Sequence, residues 1–367
     1  MIYINGRFLT QRLTGVQRYA FEITKRLTAH YQNNLCILIP NVSINHSYET
    51  KNLPVKVIGK ITNTLWEQID LPIYLQQKDK PLLINLVNTA PCFYKNQIVC
   101  IMDMTIYVNP KWFSKYFVFY YKIIVPQISK NSKKVITISE SSKKDIVQYL
   151  QISAEKIEII SPAVSDKFYK HNIGSNILVK LNLNHNQYIL SVSSLDPRKN
   201  FKRLIEAYNF LHKEIPLVIV GSEGKVFADE GLKIMLKEKN IIFTGYVNDD
   251  DLITLYSSAK FFVYPSLYEG FGIPPLEAMA CGCATIVSNT SSLPEVCDNA
   301  SLYVNPTDTQ SINIAIQQLL KNDDLRNQLI ARGKEQVKKF SWDISARKLI
   351  SVIEKQQQKR NDNSNSS

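Results

Sequence analysis

Short apolar runs alternate with longer stretches of helical periodicity along nearly the whole chain, and this rhythm limits the folds it can adopt. In the first half the runs at Met1–Ile4, Leu35–Ile39, Val55–Ile58, Leu82–Leu86, Ile98–Ile101, Val135–Ile138 and Ile157–Ile160 predict strands. Helical patterns fall between them at Val16–Ala29, Leu65–Gln77, Trp112–Lys130 and Ser141–Leu150. Strands that alternate with helices form a parallel sheet with helices on both faces. The rhythm stops in the polar stretch 171–186 and then restarts. A second series of strands is expected at Tyr188–Val192, Leu217–Val220, Ile241–Thr244, Phe261–Tyr264, Ala284–Val287 and Leu302–Val304. Helices separate these at Phe201–His212, Asp249–Ser258 and Pro275–Ala280, and Gln310–Leu320, Leu325–Phe340 and Ile344–Lys355 follow the last strand.

The expected organisation is therefore two doubly wound α/β domains, 1–170 and 187–343, joined by a linker at 171–186. A C-terminal helix at 344–356 is able to cross back to the first domain, and the Gln/Asn/Ser-rich tail 357–367 reads as disordered. The length of 367 residues fits two domains of ~150 residues each. In such sheets ligands bind beyond the carboxyl ends of the strands, and here also between the domains.

Charge is divided unevenly. Residues 1–175 hold 22 Lys/Arg against 11 Asp/Glu, a net +11, whereas the remainder is nearly neutral at +1. The first half is thus suited to an anionic membrane surface, a nucleic acid or a phosphorylated substrate, or simply carries a solvated basic surface. No stretch approaches the ~20 apolar residues that span a bilayer, and the opening MIYINGRF lacks a signal-peptide design. A cytoplasmic location is expected. The six cysteines form no CxxC pair and the five histidines lie apart from them, which argues for reduced core thiols and against zinc.

Two segments carry the chemistry. In YPSLYEGFGIPPLE, residues 264–277, a strand ends at Tyr264, a loop holds Glu269-Gly270-Phe271-Gly272, and Pro274-Pro275 open a helix. Gly270 and Gly272 let the backbone approach a ligand closely or take positive φ. The helix start offers free N–H groups to an anion, and the Glu277 carboxylate near the first turn can accept hydrogen bonds from a diol. In ILSVSSLDPRKNFKRLIEAY, residues 189–208, a strand runs into Ser193-Ser194 and a turn bearing Arg198-Lys199-Asn200. Two adjacent cations there suit a diphosphate, although an isolated Arg-Lys pair is ordinarily solvated surface.

Taken together, these segments resemble the family 4 retaining glycosyltransferases of the GT-B fold. Glu269 and Glu277 match the two glutamates, eight positions apart, of the family pattern, and Ser288, Pro294 and Glu295 fit its continuation. The resemblance implies two Rossmann-like domains facing a central cleft, the first binding acceptor and the second a nucleotide-sugar. It further implies that Glu277 holds the ribose and that Glu269, with the Gly270–Gly272 backbone and Phe271, meets the donor sugar. Arg198 and Lys199, beside Ser194, would stabilise the leaving diphosphate, with Val247 against the nucleobase. In the first half, Gly15 of TGVQRYAFEI resembles the family's glycine loop beneath the donor, and Asp103 of IMDMTIYVNP matches an His-Asp stretch in which Met102 takes the histidine position. Ser139 and Glu140 match a stretch on the acceptor side.

On this resemblance Arg198, Lys199, Glu269 and Asp103 are the catalytic candidates. No metal or other cofactor is expected. The donor is a UDP-, GDP- or dTDP-sugar, and the opening NGRFLTQRLTGVQRYAFE resembles bacterial enzymes that add mannose, rhamnose or related sugars to lipid-diphosphate-linked O-antigen or capsule units. The enzyme would then sit peripherally on the inner face of the cytoplasmic membrane. Two alternatives stay open at this point, a GT-B-fold nucleotide-sugar epimerase or isomerase and a nucleic-acid-binding protein. The latter lacks a helix-turn-helix, zinc or stacking motif. The Asp249-Asp250-Asp251 triplet reads as a helix start, not a metal site, and GSEGK at 221–225 is too short for a phosphate-binding loop.

Overall fold

The computed structural model describes residues 1–45, 48–169, 175–211, 215–221, 230–235 and 240–365. Two compact units emerge. One comprises Met1–Pro162 with Trp342–Ser367, the other Ala163–Ser341.

The first unit contains a seven-stranded sheet of β1 (Ile2–Asn5), β2 (Leu35–Ile39), β3 (Val55–Val57), β4 (Leu82–Asn85), β5 (Gln97–Cys100), β6 (Lys134–Thr137) and β7 (Ile157–Ile159). Its spatial order is β3-β2-β1-β4-β5-β6-β7. The second contains β8 (Ile189–Val192), β9 (Leu217–Val220), β10 (Ile241–Gly245), β11 (Phe261–Tyr264), β12 (Thr285–Ser288) and β13 (Ser301–Val304), in the order β10-β9-β8-β11-β12-β13. Every strand pairing is parallel. Helices cover both faces, so the central strands are buried throughout and read as continuous apolar runs, as in LVIV of β9 and FFVY of β11.

Both sheets are wound from the middle. The first unit lays β2 and β3 outward from β1, then returns to place β4 on the other flank of β1. The second does the same with β8 and β11. The connections leave in opposite directions at those two pairs, which opens a crevice beyond their carboxyl ends. All thirteen expected strands are present, within a residue or so at their ends.

The unit boundary and the tail differ from the sequence expectation. The division falls after Pro162, not after residue 170. Within the stretch expected as a linker, 170–174 lie outside the described residues, but Ile177–Lys180 is a helix, Ile177 and Leu183 are buried, and Asn186 N donates to Ser258 O at 2.7 Å. Those apolar contacts, spaced too widely to show as a strand or helix period, tie the segment to the second unit. The last helix begins at Trp342 and runs to Asn365, so residues 357–365 of the expected tail continue it, while 366–367 lie outside the described residues. Gln, Lys and Arg are good helix formers, and the packed first turns supply the nucleus that an isolated polar tail lacks.

That last helix completes the first unit. Trp342, Ala346, Leu349, Val352 and Ile353 are buried, and the Trp342 ring lies 6.0 Å from Tyr19 of the Gly15–Tyr31 helix. Arg26 Nε pairs with Asp343 at 2.5 Å, and Ser345 Oγ donates to Ser161 O. Leu349→Ala should therefore cost the first unit about 2–5 kcal/mol, whereas Arg347→Ala at an exposed position should stay within ~0.5 kcal/mol. Urea denaturation of both variants checks this.

Candidate functional site

The crevice between β8 and β11 gathers most of the residues picked out in the second half. A turn after β8 carries Arg198 and Lys199, and the loop after β11 carries Glu269. The turn is strapped to the loop by its backbone: Leu267 N donates to Arg198 O at 2.7 Å, with Ser266 Oγ 3.1 Å from the same oxygen. Asn200, in the left-handed region at φ 64°, donates from its amide to Pro265 O and Pro306 O at 2.9 and 2.7 Å. Asn fits here because it tolerates left-handed backbone and has two N–H donors for two buried carbonyls.

Lys199 is buried, contrary to the exposed turn that the sequence suggested for it. Its ammonium donates to Glu269 Oε1 at 2.5 Å and to the Tyr264 hydroxyl at 2.7 Å. The Tyr264 hydroxyl donates a hydrogen bond to the same oxygen at 2.8 Å, and Ser266 Oγ donates there at 2.6 Å. The aliphatic stem of Lys199 was not recognisable as a core element, because one cation in an RKN turn looks like any other until its carboxylate partner, 70 residues away, is placed. Burial acts to raise the Glu269 pKa, but Lys199 and Arg198 outweigh it and hold the carboxyl below its usual range. Burial lowers the Lys199 pKa and raises that of Tyr264.

Arg198 occupies the solvent side of this cluster. Asp196 fixes it, accepting from the Arg198 backbone N–H at 3.0 Å and facing its Nε at 3.4 Å. Arg198 Nη1 stands 3.8 Å from Glu269 Oε2. A half-buried guanidinium over a buried ion pair is a preorganised anion site, since its charge is already oriented before any ligand arrives.

Gly272 begins the Ile273–Ala280 helix at φ 106°, and a Cβ there would meet Leu293 Cδ2 at 2.6 Å. Only glycine fits. Pro274 and Pro275 occupy the first turn, where missing N–H groups cost nothing. Glu277 is half-buried on this helix, with Tyr256 OH 3.4 Å from its Oε2. Phe271 turns its ring into the core, edge-on to Phe340 at 5.3 Å, which leaves its backbone to the loop surface. Ser194 is exposed after β8, and Val247 is half-buried in the loop after β10. Ser291 and Ser292, which no motif singled out, hold the loop: Glu269 N donates to Ser291 Oγ, and Ser292 Oγ donates to the carbonyls of Glu269 and Phe271.

The remaining candidates belong to the first unit. Gly15 starts its helix at an exposed position where an added Cβ meets nothing within 4 Å. Asp103 follows β5 and accepts from Thr105 N at 2.9 Å and from Thr105 Oγ1, which makes it the start of a turn. Met102 is buried. Ser139 caps the Glu140–Leu150 helix by accepting from Ser142 N at 3.0 Å, and Glu140 lies exposed in its first turn. The Asp249–Asp251 triplet opens the Asp249–Ser258 helix beneath the Asn248 cap, as expected, and no described group of three His, Cys, Asp or Glu could hold a metal ion. The GSEGK stretch lies, beyond Gly221, outside the described residues. All six cysteines are free.

Removing one member of the Lys199–Glu269 pair strands the other without water. Lys199→Ala and Glu269→Ala should each cost about 3–5 kcal/mol, with the double variant less destabilised than their sum. The depressed Glu269 pKa sets the sign with pH. Its contribution is complete above the ordinary value of 4.5 and is lost as pH falls through its lower native value. Thermal melts of the four proteins between pH 3 and 7 test both statements.

Comparison with known proteins agrees with this geometry. Residues 176–336 match the family described as "Glycosyl transferases group 1". Over 378 residues the chain is 30% identical to O-antigen chain mannosyltransferase B of Escherichia coli, covering 92% of this chain and 97% of that protein. It is 29% identical over 225 residues to the Campylobacter jejuni N-acetylgalactosamine-N,N'-diacetylbacillosaminyl-diphospho-undecaprenol 4-alpha-N-acetylgalactosaminyltransferase, covering 60% of this chain and 59% of that one. Among solved structures, Anabaena HepE in complex with UDP and glucose superimposes with a TM-score of 0.77 over 96% of this chain and 99% of its own, at 16% identity, a likeness of fold. With two parallel-sheet units, the family match over the second and a 30% identical relative matched almost end to end, the chain belongs to the group 1 glycosyl transferases of the GT-B fold.

Proposed function

We propose that this glycosyltransferase retains anomeric configuration, needs no metal, and moves a mannosyl or related residue from a nucleotide-sugar to a lipid-diphosphate-linked saccharide during O-antigen assembly. The observation that carries the reading is the charge cluster of Arg198, Lys199 and Glu269 at the β8/β11 crevice. Breaking a sugar–diphosphate bond places negative charge on the departing phosphate and positive charge on the sugar carbon. Arg198, backed by Lys199, answers the first. Among the described residues Glu269 Oε2 has the looser Arg198 contact at 3.8 Å, which leaves room for it to take a donor-sugar hydroxyl. Glu277 receives the ribose diol on the adjoining helix, and Ser194, Val247 and the Gly270–Gly272 backbone line the donor. The cations supply the electrostatic stabilisation that a metal supplies elsewhere. The leaving phosphate then takes the acceptor proton on the same face of the sugar that it departs from. In this reading Gly15 lies beneath the donor, and Asp103, Ser139 and Glu140 serve the acceptor side.

The relatives favour transfer over both alternatives, and their names supply the mannosyl and lipid-diphosphate elements. Membrane attachment is part of the same reading. On the Lys115–Asn131 helix Tyr116, Phe119 and Ile123 are 84%, 65% and 54% exposed, at positions i, i+3 and i+7, with Lys115, Lys122 and Lys130 exposed beside them. An apolar stripe pointing away from its own core, bordered by cations, suits an anionic lipid surface. No helix among the described residues is long and apolar enough to cross a membrane.

Incubation with UDP-, GDP- and dTDP-sugars, with and without a synthetic undecaprenyl-diphosphate oligosaccharide, in EDTA, tests the reaction. One donor should be consumed only when acceptor is present, giving a product with the donor's anomeric configuration. Arg198→Ala should lower kcat by ~10²-fold, and Glu277→Ala should weaken nucleotide binding by ~1.5–3 kcal/mol. Donor conversion without acceptor would establish the epimerase alternative. In sedimentation with anionic liposomes the enzyme should bind at 0.05 M salt and be released at 1 M, where the Debye length is ~3 Å, and the triple variant Tyr116→Ser/Phe119→Ser/Ile123→Ser should not bind.

A further inference from the structure

The first sheet repeats the design of the second at its own winding centre. Asn5 and Asn85 end β1 and β4, and beyond them Glu67 is fully buried with Arg7 Nη2 3.5 Å from its Oε2. Glu67 Oε1 accepts from Asn5 Nδ2 at 2.5 Å and from Thr89 Oγ1 at 3.1 Å. Asn5 Nδ2 also donates to Asn85 Oδ1, and Asn85 passes the network on to Gln97. Arg7 Nη2 donates to Thr89 Oγ1 at 2.9 Å. Six polar residues from four segments thus converge where β1 and β4 diverge. Arg7 and Glu67 are 60 positions apart, and no motif joined them.

Stability alone does not account for the arrangement. Well-packed apolar residues commonly do as well as a buried ion pair, and this one leaves Glu67 Oε2, Arg7 Nε and the Tyr120 hydroxyl buried without a hydrogen bond. The guanidinium is held at one edge, by Thr89 and Glu67, while Nη1 makes no hydrogen bond among the described residues and the side chain is 13% exposed. An arginine fixed this way keeps Nη1 and the buried Nε without an acceptor among the described residues. The groups gathered around this guanidinium are amides and a hydroxyl besides Glu67, surroundings that match a neutral hydroxyl oxygen. Tyr120 and Tyr121 come from the same helix whose outer stripe faces lipid in the proposed attachment, and rings beside a few converging donors are how protein sites take polyols.

We infer that Arg7 is an acceptor-binding residue, donating to hydroxyl oxygens of the acceptor saccharide at the β1/β4 crevice, and that Glu67 is its positioning residue. This rests on the transfer reading above and assigns the acceptor's sugar, as distinct from its diphosphate, to a particular cradle.

The test uses the whole enzyme and α-methyl mannobioside as a lipid-free probe. Saturation-transfer NMR should show the disaccharide bound by wild type. Arg7→Ala and Arg7→Lys should each weaken it about tenfold or more, the loss of one charged hydrogen bond. Glu67→Gln should weaken it in the same direction, since the amide keeps the contacts of Oε1 while releasing Arg7. Nucleoside diphosphate affinity should stay within twofold in every variant, and in turnover assays the effect should appear in the acceptor KM ahead of kcat. Arg7→Lys keeps the charge and most of the stem, so it remains informative if Arg7→Ala fails to fold. Disaccharide affinity unchanged in Arg7→Lys, absence of binding to wild type, or equal losses of disaccharide and nucleotide would overturn the inference. Failure of transfer with every donor would count against the proposed reaction and leave the NMR result to decide this site.

Discussion

A carboxylate shielded from water needs a cation within contact distance, and Glu269 has the Lys199 ammonium at 2.5 Å. Much of the second unit's detail follows from that requirement. Tyr264 and Ser266 supply the other donors to the same oxygen, Asn200 pins the turn that brings Lys199 inward, and Ser291 and Ser292 fix the loop that presents Glu269. Because Lys199 and Glu269 satisfy each other, Arg198 is left above them with its guanidinium oriented by Asp196. The arrangement sits where β8 and β11 part, the place at which a parallel sheet presents open backbone and loop termini to a ligand.

The first unit solves the same problem with different residues. Its winding centre lies between β1 and β4, and there the pair is Arg7 with Glu67 instead of lysine with glutamate. Lysine is a point charge that can sink beneath a site, whereas arginine is a planar fork that can be gripped on one edge and present the other. The contrast suits the proposed roles, phosphate binding by the second unit and hydroxyl binding by the first. Neither pair is explained by stability, since burying charge in a core gains little over packing it with apolar side chains.

What was legible in the sequence was whatever is encoded locally. Strand and helix periods gave both sheets, and EGFG with its two prolines and RKN gave the loops after β11 and β8, because each is a contiguous string whose glycines, prolines and charges have strict backbone meanings. Pairings across long separations were not legible. Lys199 looked exposed because nothing beside it says that Glu269 lies overhead, and Arg7 drew no attention because Glu67 belongs to a different helix. The boundary after Pro162 was missed for a related reason: the stretch 171–186 is polar enough to read as a linker, yet its buried Ile177 and Leu183 belong to the second unit. The tail misled through composition, since its polarity fits disorder while its helix propensity allows the packed helix before it to continue.

The account makes the second unit's crevice a diphosphate site built on a buried ion pair. Calorimetric titration of the enzyme with a nucleoside, its monophosphate and its diphosphate isolates that claim, because only the last reaches the Arg198 guanidinium with full charge. The diphosphate should bind at least tenfold more tightly than the monophosphate, and Arg198→Ala should abolish that difference without altering nucleoside affinity. Equal affinities for the monophosphate and the diphosphate in the native enzyme, or an undiminished difference in Arg198→Ala, would contradict it.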